Sequence, residues 1–286
     1  MILQLLISGL TNGSFYSLIA FGFVVVFNVT SWLNFPQGMY MFFGAFFALL
    51  FISMDLPLPA AVISAIVVIA IVGVLSERLT IGRMRQPTFL TAILIMCGLA
   101  YLYEGIMRVA FGTFPKQFPP FSEQLGFEFF SVYIPTQSLW MMAITLISGV
   151  VLWYFFGRQL YGKAMRATAQ NPTAAKLVGI NTKTMATLSI ALSAGLGALG
   201  GIAIAPLTYV VYNQGWPFTM KGLVAAVIGG GLTSYSGAFV GGVLIGLLEA
   251  FTIGYITSLF KDAVLFAILI IVLIWRPAGI LGQKQT

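Results

Sequence analysis

Apolar runs follow one another along this chain, and few charged residues interrupt them. A helix that crosses a bilayer needs about 20 mainly apolar residues. Inside hydrocarbon every backbone polar group must also be bonded within the protein, which favours helices. Hydrophobic residues make up 59% of the 286 residues and charged residues only 7%. Soluble domains carry roughly 25% charged residues. A chain so composed cannot cover a soluble surface, so it reads as an all-α polytopic membrane bundle of about eight transmembrane helices. Residues 1–286 form one domain with no room for a soluble module. Soluble-enzyme and nucleic-acid-binding readings fall. With no histidine and one cysteine, Cys97, disulfides are excluded and no His/Cys metal site is credible.

The first apolar run, from about Leu5 to Val29, is interrupted by Thr11–Ser14. No basic flank precedes it, so it does not read as a signal peptide. Pro57–Ser76, Thr88–Tyr103, Thr136–Phe156 and Ala263–Trp275 read as spans. Thr184–Tyr212 reads as a span broken at Pro206. Lys221–Thr233 and Gly237–Ile256 read as two glycine-rich spans. Met39–Ser53 is too short to cross untilted. It is either a full crossing, with the N-terminus outside, or a re-entrant half-helix, with the N-terminus inside. Arg78, Arg83 and Arg85 lie between two spans, and Arg158, Lys163, Arg166, Lys176 and Lys183 lie in a loop over 158–183. Arg276 and Lys284 follow the last span. The positive-inside rule puts these groups and the C-terminus in the cytoplasm, and the loop over 112–135, with Glu123 and Glu128, outside.

Within the basic loop, Asn171–Gly179 reads as a short helix capped at both ends. Asn171 caps free N–H groups, Pro172 suits the first helical position, and Gly179 suits a left-handed residue after the end. A second short helix, Gly162–Ala169, precedes it. So short a helix needs a docking surface. The small residues Gly162, Ala164, Ala167, Ala174 and Ala175 would let a cytoplasmic partner approach closely; an ordinary loop on lipid headgroups is the alternative. Gly157–Ala164 nearly matches a phosphate-binding loop, but Ala164 lacks the metal-holding hydroxyl and the run follows a membrane helix.

The break at Asn34–Gly38 interrupts helical pattern, either at membrane depth or as a plain interhelical loop at the surface; its match to a second break at Asn213–Pro217 is too weak to make an internal repeat. Non-helical backbone survives at membrane depth only against protein or a polar cavity. Asn34, Gln37 and Gly38 are therefore candidates for a translocation path, and Asn12 and Ser14 could face the same cavity. Glu249, an acid inside a span, is either a path or gate residue or a paired structural acid. Glu104 and Arg108, four apart on one helix face, read as a structural ion pair. Asp262 suits a helix N-terminus. The spacings Gly197/Gly201, Gly237/Gly241 and Gly242/Gly246 permit close helix crossing, within this bundle or in a dimer. Gly229–Gly231 reads as a tight turn.

Taken in order, four stretches resemble branched-chain amino acid permeases of the LivH type, membrane subunits of ABC transporters. They are Tyr161–Asn181, Asn34–Gly38, Lys221–Gly242 and the tail Arg276–Ile280. Pro36 departs from the family's usual alanine, and Met39 from an acid often found there. The resemblance implies a transport subunit of the bacterial inner membrane, with no catalytic residues. It also implies a second, similar permease subunit, commonly in a heterodimer. Two cytoplasmic ATPases would bind ATP and Mg and grip the coupling loop, and an extracytoplasmic binding protein would deliver a hydrophobic amino acid or related small solute. This chain itself would hold no cofactor. A secondary transporter or channel working without ATPases is the competing reading. An intramembrane enzyme lacks a credible catalytic set.

Overall fold

The computed structural model describes residues 1–84, 88–129, 132–276 and 278–282. Arg85 and Lys284, named above, and Pro277 within the Arg276–Ile280 tail lie outside the described residues. The described chain folds into helices α1 (Ile2–Thr30), α2 (Gln37–Ser53), α3 (Leu58–Leu79), α4 (Phe89–Phe111) and α5 (Thr136–Arg158). Two short helices, α6 (Leu160–Gln170) and α7 (Pro172–Leu177), follow. The chain then forms α8 (Thr182–Ile204), α9 (Gly215–Gly230), α10 (Tyr235–Tyr255) and α11 (Lys261–Trp275). Among the described residues, seven helical stretches are long and apolar enough to cross a membrane, and α2, at 17 residues, is a shorter apolar helix. The protein is a polytopic helical membrane protein.

Helix α1 is the axis. It packs against α5, α8, α9 and α10, and from Gly13 to Val26 every residue is buried. A helix buried all round needs no polar face. Around it, α3, α4 and α11 turn apolar side chains outward, among them Ile63, Val67, Leu90, Leu94 and Ile274.

Glycine sets the closeness of the central packing. A Cβ on Gly13 would lie 2.7 Å from Val243 Cα, and one on Gly242 or Gly246 would strike the backbone of Ser17 or Gly13. Helices α1 and α10 therefore touch backbone to backbone, and Ser17 Oγ donates to Phe239 O across the gap at 3.0 Å. The same device joins α9 to α10 through Gly229, Gly237 and Gly241. It joins α2 to α8 through Gly44, Gly197 and Gly201. These glycine pairs thus serve this chain's own bundle.

Several expectations change. Thr11–Ser14 does not interrupt α1, because Thr11 Oγ1 donates to Ile7 O at 2.8 Å within the helix. Gly229 and Gly230 are helical, and only Gly231, with φ +60°, makes the turn. The helix does break at Pro206, but α8, ending at Ile204, does not resume before Tyr212. Residues 112–135 include a small antiparallel hairpin, β1 (Gly126–Phe129) with β2 (Val132–Pro135). Glu104 and Arg108 are not among the ion pairs of the described residues; Arg108 instead lies over the Tyr212 ring, 5.9 Å from its centroid.

The bundle has a basic end, carrying Arg78, Arg83, α6 and α7. Asn28 and Arg166 line one cavity there, and Asn28 Nδ2 donates to Thr233 O at 3.1 Å. Gln4 and Ser8, at the start of α1, share a cavity with Pro135 and Leu207 instead. Paired backbone bonds between Lys116 and Val210, 2.9 and 3.1 Å, join the segments after α4 and α8. The N-terminus thus lies opposite the basic end, although α2 is short. The two facts agree because residues 31–36 fold back into the bundle, so α2 starts inside it: Gln37 packs on Gly22, eight residues and about 12 Å before the end of α1.

Gly246→Leu should destabilise the protein by about 3 kcal/mol or more, since backbone cannot yield as a side chain can. Gly98→Leu, where a Cβ meets nothing within 4 Å, should be close to neutral. Thermal unfolding of the purified protein in detergent checks this; equal melting temperatures for the two variants would refute the packing account.

Candidate functional site

Three groups of polar residues stand out from the apolar bundle. The first lies where α2 and α9 begin. Asn34 and Gln37 are fully buried. Asn34 Nδ2 donates to Gln37 Oε1 at 3.1 Å and to Ser193 Oγ at 3.0 Å. Gln37 Nε2 donates to Ser193 O at 3.1 Å, and the Ser193 hydroxyl donates to Gly22 O at 2.9 Å. One serine on α8 thereby ties α1 to the start of α2. Pro36 occupies the N-cap of α2, and the Gly38 N–H donates to Thr219 Oγ1 of α9 at 3.0 Å. A Cβ on Gly38 would collide with Gly215 O, the first residue of α9. The two breaks seen in the sequence therefore meet in space, with the N-termini of two short helices side by side. Asn34 Oδ1 is buried there without a hydrogen-bond partner.

The second group was only partly foreseen. Glu249 of α10 is buried, and its Oε1 lies 2.6 Å from Lys221 Nζ of α9. The Tyr16 hydroxyl donates to its other oxygen. Lys221 also reaches Asp262 Oδ1 at 3.0 Å, and Lys261 Nζ lies 3.7 Å from Glu249. Two cations and two carboxylates thus balance where α1, α9, α10 and the start of α11 meet. Asp262, expected only to suit a helix N-terminus, also closes this cluster. Glu249 is a paired acid rather than a free one. Lys221 was missed as its partner; a lone cation in an apolar run carries the same signal as a lone acid. Glu77 was missed too. It is buried at the basic end of α3 and accepts from Thr187 Oγ1 of α8 at 2.8 Å.

Asn12 and Ser14 do not join either group. Asn12 lines the cavity shared with Gln4 and Pro135, and Ser14 O accepts from Thr145 Oγ1 at 3.1 Å.

The third group is the elbow α6–α7. Asn171 Oδ1 accepts from the N–H groups of Thr173 and Ala174, at 3.1 and 3.0 Å, and Gly179 has φ +86°. The capping expected from sequence is present. The small residues divide in a way that sequence did not reveal. Gly162 approaches the backbone of Phe155 and Phe156, and Ala175 is buried, so both face the bundle. Ala164 and Ala167 are half-buried. Asn171, Pro172, Ala174 and Gly179 face outward. Beside them Leu177 and Val178 are 85% and 76% exposed, an apolar step on an otherwise polar loop. Met165, fully buried, anchors α6 inward, where it packs on α1, α5 and α8.

Comparison with known proteins places this architecture among permeases. Residues 5–273 match the family model of the branched-chain amino acid transport system permease component. The high-affinity branched-chain amino acid transport system permease protein LivH of Escherichia coli is 31% identical, over 99% of this chain and 96% of its own length. BraD of Pseudomonas aeruginosa is 30% identical with the same coverage. The xylose/arabinose import permease protein XylH of Sulfolobus acidocaldarius is 28% identical over 76% of this chain and 61% of its own. Among solved structures, PsaBC from Streptococcus pneumoniae in complex with Fab shares the fold, with a TM-score of 0.51 at 11% identity, over 93% of this chain and 90% of that one. The chain belongs to the branched-chain amino acid transport system permease family.

Removing one partner of a buried ion pair typically costs about 3–5 kcal/mol, because the other charge is left unpaired. Lys221→Met should show such a loss, and Lys221→Met combined with Glu249→Gln should recover most of it. Denaturant unfolding of the four proteins of this cycle in detergent measures the coupling; additive effects would remove the pair from the account.

Proposed function

We propose that this chain is the permease subunit of an ABC importer, moving a branched-chain amino acid or a related small solute by ATP-driven alternating access. The observation that carries the reading is the outward step of Ala174, Leu177 and Val178 on an elbow whose other face is packed against three long helices. Such a surface gives a motor something apolar to hold, and its rigid backing passes motion on. Near full-length similarity to LivH and BraD supports the substrate class. XylH, named for xylose and arabinose, marks sugars as the neighbouring alternative.

The basic end then faces the cytoplasm, as the positive-inside rule requires, and the C-terminus lies there in the bacterial inner membrane. Two ATPase subunits bind the elbows of this chain and of a second, homologous permease; they hold the ATP and Mg, and this chain holds no cofactor. An extracytoplasmic binding protein delivers the solute to the opposite end. Motion passes from α6 and α7 into α8. Helix α8 carries Ser193, which bonds to both α1 and the start of α2. A shift of α8 therefore loosens the closed junction at Asn34, Gln37 and Gly38. The free energy for that shift comes from the different affinities of ATP and the loaded receptor for the two states. An apolar side chain in transit needs no fixed charge along its route. The Glu249 cluster holds α11 to the bundle while the junction opens.

Ala174→Asp and Leu177→Asp should each abolish co-purification of the ATPase and reduce ATP-dependent uptake at least tenfold, with normal amounts of permease in the membrane. Retained ATPase binding and uptake would remove the elbow from the mechanism. Solute flux through the purified chain in liposomes with no ATPase present would overturn the importer reading itself.

A further inference from the structure

A cavity of about 860 Å³ opens at the basic end between α1, α5, α6 and α10. Its α6 wall belongs to the elbow, and the rest of it lies outside the three groups above. Its wall along α5 is Leu146, Gly149, Val150 and Trp153, spaced three and four apart and so on one helix face. Leu146, Val150 and Trp153 are also exposed on the outer surface of the bundle, so the cavity opens sideways toward lipid. Its deep end is apolar, with Phe21 and Phe239. At the basic end its lining turns polar, with Asn28, Arg166, Gln170, Ser234 and Ser236.

The dimensions decide what fits. Leu146 is twelve residues, about 18 Å, from the end of α5. Half of a bilayer's hydrocarbon core is about 15 Å. The cavity thus spans about one leaflet, apolar where acyl chains lie and polar where headgroups lie. The charge is complementary as well. No carboxylate among the described residues lies within ion-pair distance of Arg166. Tyr235 opens α10, whose N-terminal dipole favours an anion; the Ser234 hydroxyl already caps the Gly237 N–H, which leaves Arg166 as the charged partner. Basic pockets between membrane helices are suited to anionic headgroups.

We propose that this cavity is a binding site for one anionic phospholipid of the leaflet at the basic end, its phosphate held by Arg166 and its acyl chain laid along α5. Because α6 and α10 form two of its walls, a bound lipid braces the elbow against the core. The proposal needs only the fold and the bilayer, and it holds whether or not the importer reading does.

The test is native mass spectrometry of the full-length protein, delipidated in detergent and titrated with phosphatidylglycerol or phosphatidylcholine. One phosphatidylglycerol should bind with at least tenfold preference. Arg166→Gln should lower that affinity about tenfold, the loss of one charge-assisted contact. Ser236→Glu, an exposed position, should do the same by repulsion. Lys163→Gln, outside the cavity, should not. Equal binding of the two lipids, an equal loss in Lys163→Gln, or displacement by millimolar inorganic phosphate, which would mark a soluble-anion site, would each overturn the proposal.

Discussion

Backbone contact along α1 is the constraint on which the rest of the structure depends. Water drives apolar faces together in soluble proteins, but lipid is as apolar as leucine, so membrane helices need close packing and hydrogen bonds to associate. Here Gly13, Gly242 and Gly246 let α1 and α10 meet without intervening side chains. The close crossing brings Tyr16 to Glu249, and through α9 it brings Lys221 there as well. The charges that lipid would not tolerate, Glu249 and Lys221, are buried and paired, and the more exposed Lys261 and Asp262 at the start of α11 are drawn in by them.

The second consequence of the bilayer appears where helices start inside the bundle. Free N–H groups at membrane depth are costly. At α2 the protein satisfies one of them with the Thr219 hydroxyl, and bonds the side chains of Asn34 and Gln37 to α8. The junction is held by hydrogen bonds to side chains on other helices, not by a continuous backbone ladder. Such bonds can be exchanged without unwinding a helix. The elbow touches the same helix, since α6 and α7 both pack on α8.

Much of the site was legible in residue types. Pro36 and Gly38 marked the break, Asn171 and Gly179 marked the caps, and the paired glycines marked close crossings. Other features left no local trace. Gly162 and Ala174 look alike in the sequence, yet one faces Phe155 and the other solvent, because a short helix shows its orientation only once docked. Glu104 and Arg108 had suitable spacing for a pair, yet Arg108 lies over Tyr212 from a segment about a hundred residues away.

By itself the sequence determined that this chain lives in a bilayer, where most of its helices run, which end carries the positive charge, and to which family it is similar. Those properties follow from hydropathy, charge and local propensity, which act over a few residues at a time. Only the tertiary structure decided that the N-terminus lies opposite the basic end, that Glu249 is neutralised by Lys221, that two helix starts meet at Gly38 and Gly215, and which face of the elbow is free. These depend on contacts between residues far apart in the chain, and nothing short-ranged encodes which of many apolar surfaces will meet.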